Sequence, residues 1–268
     1  LSNAFLYVLL GLFIIFLYGP MFGIIILSFQ GPSGGLTFPM RGVSLHWIGD
    51  LFQEQRVGDF QGSFGRSMVL GLIVSALTTV LSYAAGLAFR RGFPGATLLF
   101  YLTVTALIVP SILVSLGIGM TFSQLGLETH WLTSALGAHL TWTLPFGLLI
   151  MFAVFNRFDS AYEEAARDLG ASFFQVQRHV VIPMIAPSLI GIALFGFTLS
   201  FDEFARTLLA GWVKNTLPLE IFGMTTTVTT PTLYALGTVT TVVSFTVILA
   251  SLGIIAIMTR RRVNRPAP

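Results

Sequence analysis

The chain has 268 residues, 54% of them hydrophobic and 9% charged, with 14 Lys and Arg against 11 Asp and Glu for a formal net charge of +3. Soluble domains carry roughly 25% charged residues, so this composition excludes an ordinary water-facing surface and names lipid as the solvent. Cysteine is absent, which removes disulfides, thiolate nucleophiles and zinc–thiolate sites.

Apolar stretches long enough to cross a hydrocarbon core of about 30 Å recur along the sequence. They predict an all-α integral membrane fold with spans at about 4–29, 67–89, 97–122, 132–155, 185–208 and 235–258, in one transmembrane domain covering 1–268. The first span is expected to be a retained helix, since it exceeds the apolar region of a signal peptide and no basic leader precedes it in the residues given. After it, Gly31-Pro32-Ser33-Gly34-Gly35 fits the G-x-S-x-G pattern of a nucleophile elbow, but that elbow needs a strand before it. Following a membrane helix, the segment reads as a flexible turn. In the second span Ser67, Gly71, Ser75 and Thr79 recur every four residues, a small-residue ridge suited to helix packing.

In the third span Pro110 is expected to kink the helix, with Ser111 directly after it facing a cavity. The fourth span carries His139 near Trp142 and Pro145, read as a packing histidine. His46, His130, His139 and His179 have no ligand spacing between them, so no metal site is expected. Nine arginines (90, 91, 157, 167, 178, 260, 261, 262 and 265) fall on one side of an even-numbered bundle and Arg41, Arg56, Arg66 and Lys214 on the other. The excess marks the first side as cytoplasmic, with both termini inside and the loops 30–65 and 210–234 outside. The positive charge is thereby used by topology, and a nucleic-acid partner is not called for.

Residues 156–184 form a polar inner loop much longer than two helices need, and such loops are usually functional. Asp159 or Ser160 is placed to cap a helix in which Ala161, Tyr162, Ala165, Ala166 and Leu169 share a side, and Gly170 ends it in the left-handed position. Ser172 and Gln175 make a capping box for a second helix carrying Phe173, Val176 and Val180, which Pro183 is expected to stop. Glu163, Glu164, Arg167 and Asp168 form the charged face. In the fifth span Asp202 and Glu203 are read as the acids inside the membrane, costly enough there to be functional suspects, with Thr198 one turn below. Arg206 is spaced to pair with either acid.

Glu164-Ala165-Ala166, three residues, Gly170, nine residues and Val180-Val181-Ile182-Pro183 resemble the EAA signature of bacterial binding-protein-dependent importer permeases, with isoleucine where leucine is usual. The resemblance implies the type I (MetI-like) ABC importer fold, with a five-helix core over about 61–258 and a coupling element at 156–184 that docks on an ATPase subunit through Glu163, Glu164, Ala165, Ala166, Arg167, Asp168 and Gly170. A second likeness covers Thr37-Phe38-Pro39, Gly42 to Trp47, Phe201-Asp202-Glu203-Phe204 and Thr216 to Leu219, and is similar to the spermidine/putrescine-type group. It implies a small cationic or zwitterionic cargo meeting Asp202, Glu203, Thr198 and Ser111. Ser111 stands where several such permeases carry an acid, which leaves ferric iron, thiamine, amino acids and opines open as cargo. The implied partners are a second permease subunit, two ATP-binding subunits and an extracytoplasmic solute-binding protein, in a bacterial inner membrane. The chain's only lysine, Lys214, is followed by Asn215, so no phosphate-binding loop exists here and ATP and Mg would be bound by the partner ATPase. The expected role is therefore non-catalytic. A stand-alone secondary transporter or channel is the different class, and no convincing internal repeat supports it.

Overall fold

The computed structural model describes residues 3–53, 58–211, 214–227 and 230–263; Arg56 and Arg265 of the charge comparison lie outside the described residues. In chain order the helices are α1 (Asn3–Ser28), α2 (His46–Asp50), α3 (Phe60–Arg91), α4 (Ala96–Thr105), α5 (Ser111–Gln124), α6 (Ser134–Phe155), α7 (Ala161–Asp168) and α8 (Phe173–Val176). A π-helical turn (Gln177–Val181) leads into α9 (Ile182–Phe201), followed by α10 (Ala205–Leu208), α11 (Leu217–Thr227) and α12 (Thr232–Val263). The described residues are all-helical in their regular structure, and five stretches among them are long and apolar enough to cross a membrane: Asn3–Ser28, Phe60–Arg91, Ser134–Asn156, Phe173–Phe201 and Thr232–Met258.

The third expected span is two helices rather than one. α4 stops at Thr105, and Ala106, Leu107 and Ile108 donate to the carbonyls three residues back instead of four, tightening the chain into turns. Pro110, at φ −55° and ψ 130°, then starts α5. Proline has no N–H for the ladder and disfavours the helical region at the residue before it, so the helix ends rather than kinks. At 1.5 Å per residue the two pieces reach only about 15 and 21 Å, each short of the hydrocarbon core. The fifth span departs in the opposite sense. α8, the π-helical turn and α9 run on with right-handed helical backbone at Gln177 and Ile182, so Pro183 does not stop the second loop helix. The wider turn absorbs the ladder position that the proline interrupts.

The residues form two compact units. One comprises Leu1–Ser63 and Glu220–Thr246. In it the buried Gln30 organises the first loop: its carboxamide donates to the Gly35 carbonyl at 3.2 Å and accepts from the Arg41 N–H at 2.7 Å. Trp47 Nε1 donates to the Gly31 carbonyl at 3.4 Å, and the Tyr234 hydroxyl donates to the Leu36 carbonyl at 2.8 Å. A Cβ on Gly34 would sit 2.2 Å from Gln30 Cδ, so the Gly-rich segment is a turn wrapped on a glutamine, with no strand to make it a nucleophile elbow.

The other unit comprises Phe64–Leu219 and Val247–Pro268. Because lipid is as apolar as leucine, helix association there relies on close fit and interhelical hydrogen bonds. The α3 ridge supplies both. A Cβ on Gly71 would meet the Phe197 ring at 3.1 Å, Ser75 Oγ donates to the Ala193 carbonyl at 2.6 Å, and Ser67 Oγ accepts from the Leu217 N–H at 2.8 Å. Thr79 turns back to its own helix, donating to the Ser75 carbonyl. Met151, Phe155, Val176, Val181, Ile185 and Ile192 form a hydrophobic core cluster, which carries α6, α9 and the 156–184 loop on one apolar base. Side chains left outside, such as Leu98, Ile108 and Leu113, are apolar and suited to lipid.

Candidate functional site

Two polar constellations stand out in the larger unit. The first is the loop over residues 156–184. Asp159 Oδ1 accepts from the Ala161 N–H at 2.9 Å, satisfying one of the orphan donors at the start of α7. α7 ends in a Schellman motif: the Gly170 N–H donates to the Arg167 carbonyl at 2.8 Å and the Ala171 N–H to the Ala166 carbonyl at 3.1 Å. Gly170 has φ +85°, the left-handed geometry expected of it. The capping box then starts α8, with Gln175 N–H donating to Ser172 Oγ at 3.4 Å and Ser172 N–H to Gln175 Oε1 at 2.7 Å. The elbow is thus held by backbone and capping bonds over only a few residues.

Which acid braces the elbow follows from helix phase, since successive residues point about 100° apart. Glu163 turns inward, its side chain 10% exposed, and is paired with Arg90 from the last turn of α3 and with Arg167 at 3.2 Å. Glu164, Ala165 and Asp168 turn outward and are exposed, while Ala166 packs on the core. Glu164 is therefore presented rather than committed to the fold, and the bracing role falls on its neighbour. Arg90 also lies over the Phe155 and Phe158 rings, and Arg91 stacks 4.7 Å from the Phe173 centroid. Beside the outward acids, Tyr162, Leu169 and Phe174 expose 53%, 89% and 70% of their surface, an apolar crest on a charged helix pair. Arginines 90 and 91 enter the sequence reading only as topology markers; their spacing to Glu163 spans more than 70 residues and leaves no local signal.

The second constellation surrounds Arg206, and here the fifth span needs correction. α9 ends at Phe201, Asp202 is its C-cap at φ −98° and ψ 6°, and Glu203 and Phe204 are non-helical. The two acids therefore lie in a break between α9 and α10 and not within a helix. Arg206, only 2% exposed, donates its backbone N–H to Glu203 Oε1 at 2.8 Å and holds Glu203 Oε2 3.6 Å from Nη1. Nη1 also donates to Ser111 Oγ at 2.6 Å, Nε to Thr141 Oγ1 at 3.4 Å, and the guanidinium lies 4.5 Å from the Trp142 ring centroid. His139 fills the space behind: Nδ1 is 2.8 Å from Ser200 Oγ and Nε2 2.8 Å from Thr207 Oγ1. Ser115 and Ser134 complete the tie by bonding the Leu209 N–H and the Ala210 carbonyl.

Of the expected pathway residues, Ser111 and Glu203 are brought together by Arg206, whereas Asp202 is exposed and outside this network. Thr198 donates to the Leu194 and Phe195 carbonyls of its own helix, so its hydroxyl is used locally. Among the described residues no group of three or more His, Asp or Glu is arranged to hold a metal ion.

Residues 78–265, which include both constellations, match the family described as binding-protein-dependent transport system inner membrane component. The chain belongs to that family. This permease is 29% identical over 254 residues to the spermidine/putrescine transport system permease protein PotC of Haemophilus influenzae, covering 94% of this chain and 95% of the relative. It is 27% identical over 253 residues to the putrescine transport system permease protein PotI of Escherichia coli, covering 90% and 84%. Its fold is similar to that of a bacterial ABC transporter involved in the import of the acidic polysaccharide alginate, with a TM-score of 0.71 at 15% identity over 98% of this chain and 95% of that one. The permease is a multi-pass membrane protein with the type I ABC importer fold.

Proposed function

We propose that this permease is the translocation subunit of an ATP-driven importer for polyamines or closely similar small cations, and that it hydrolyses nothing itself. A second permease, two ATP-binding subunits that hold ATP and Mg, and an extracytoplasmic binding protein complete the machine. Both termini and the inner loop face the cytoplasm, as the arginine distribution indicates.

The observation that carries this reading is the elbow. A helix pair fixed by a Schellman turn, a capping box and the Arg90–Glu163–Arg167 clamp presents Glu164, Ala165, Asp168 and an apolar crest outward. Small Ala165 permits close approach of a partner, Glu164 and Asp168 supply charged contacts, and Gly170 keeps the bend. Movement of a docked ATPase would pass through the clamp to α3 and through α8 to α9. The cargo assignment is supported by the names of the polyamine relatives and by exposed Asp202 at the end of α9, where a cation finds an acid that Arg206 does not neutralise. Uptake of labelled spermidine and putrescine into proteoliposomes holding the assembled complex tests it. Saturable uptake that requires ATP and the binding protein is expected. ATP-driven uptake of an amino acid but no polyamine would overturn the cargo, and uptake without the ATP-binding subunits would overturn the machine.

A further inference from the structure

At the inner end of α3, beneath the elbow, lies a cleft of about 730 Å³ lined by Leu87, Arg90, Arg91, Glu163, Arg167, Ala171, Phe173 and Gln177. Its ionisable lining is three arginines and one glutamate, a formal excess of two positive charges. That excess already counts Glu163, whose two carboxylate oxygens are taken by Arg90 and Arg167. Arg91 is aligned by its stack on Phe173.

The fifth polar member points the same way. Gln177 is 6% exposed, and its Oε1 accepts from the Tyr83 hydroxyl at 2.5 Å, which fixes the carboxamide with its nitrogen as the remaining group. Among the described residues that Nε2 has no hydrogen-bond partner. A buried amide donor left unmatched is costly, and an acceptor in the cleft would relieve it. Every uncommitted polar side chain in the lining is thus a donor, and most of these donors are guanidinium N–H groups, whose planar fork matches the oxygens of a tetrahedral oxyanion. We propose that this cleft binds a phosphate group, bridging Arg91, Arg167 and Gln177 and so tying α7 to the end of α3. Arg90 and Arg91 close an apolar spanning helix, which sets the cleft at headgroup depth. Leu87, Ala171 and Phe173 give it an apolar wall that suits the glycerol end of an anionic phospholipid. Free phosphate is the other source of the same chemistry.

Two variants test the site without dismantling the clamp. Arg91→Gln removes a cation that forms no ion pair among the described residues. Gln177→Glu keeps the acceptor for Tyr83 and replaces the donor with a negative charge. The full-length permease, purified with the subunits that accompany it, is titrated with phosphatidylglycerol and separately with phosphatidylcholine under native mass spectrometry, with and without inorganic phosphate. Phosphatidylglycerol is expected to bind preferentially, and each variant to weaken it roughly tenfold, the loss of one charge-assisted contact. If inorganic phosphate leaves that binding intact, the lipid is the ligand; if it displaces the lipid with the same sensitivity to both variants, free phosphate shares the site. Equal binding of the two lipids with no effect of inorganic phosphate, or preferential binding unchanged in both variants, would overturn the proposal.

Discussion

Replacing Gly170 with valine isolates the elbow from everything else in the fold. An added Cβ would meet nothing within 4 Å, so the cost is conformational and not steric crowding. At φ +85° a non-glycine residue is disfavoured by about 1–2 kcal/mol, and a β-branched one lies at the upper end. Relieving that strain means giving up the two bonds of the Schellman turn, from Gly170 to the Arg167 carbonyl and from Ala171 to the Ala166 carbonyl. A shift of 1–2 kcal/mol is a factor of roughly 5–30 in the population of the correct bend. Gly170→Val should therefore insert into the membrane normally yet move fewer solutes per ATP hydrolysed by its partners, while Gly170→Asn, which tolerates the left-handed region, should lie between valine and wild type. The assay is ATP consumption and solute uptake measured together in proteoliposomes with loaded binding protein. Unchanged stoichiometry in the valine variant, in a complex that assembles normally, would refute the reasoning.

Four further substitutions separate architecture from transport. Glu163→Gln leaves Arg90 and Arg167 without their shared carboxylate and should lower stability by about 1–3 kcal/mol, read as a lower melting temperature of the detergent-solubilised complex. Asp202→Asn should reduce polyamine uptake with no change in melting; Arg206→Met should reduce melting by leaving Glu203 buried without its cation, and the double change with Glu203→Gln should recover part of that loss. Melting that falls for Asp202→Asn as well would place Asp202 in the architecture and remove it from the pathway. Gly147→Val would set its Cβ 2.1 Å from Ser82 Oγ, an overpacking cost of about 1–3 kcal/mol that Ser82→Ala should partly relieve, measured by the same melt.

What could be read in advance depended on how local the cause was. Gly170, the Ser172–Gln175 box and the α3 ridge announce themselves within a few residues, and each has the geometry its residue types require. The break before Pro110 was hidden because Ala106 to Val109 are as apolar as the helices on either side, so hydropathy ran straight through a gap that only the proline marked. The fifth span, drawn to residue 208, ran through Asp202, Glu203 and Arg206, and it is at this charged cluster that the helix ends. Glu163 and Glu164 are identical residues one position apart, and only the docking of α7 against α3 decides which is buried. The Arg206 network draws Ser111, Thr141 and Glu203 from three separate segments, a meeting that no spacing along the chain encodes. The π-helical turn before Pro183 likewise depends on how α8 and α9 share one core.

The chain contains no cysteine, so a single Ala165→Cys places its one thiol on the outward face of the elbow. In the assembled importer, treated with a short thiol-to-amine cross-linker, the account predicts a covalent product with an ATP-binding subunit whose yield changes between nucleotide-free and ATP-bound states, and none when the cysteine replaces lipid-exposed Leu98 instead. An assembled complex in which Ala165→Cys gives no such product, or gives one indifferent to ATP, would contradict it.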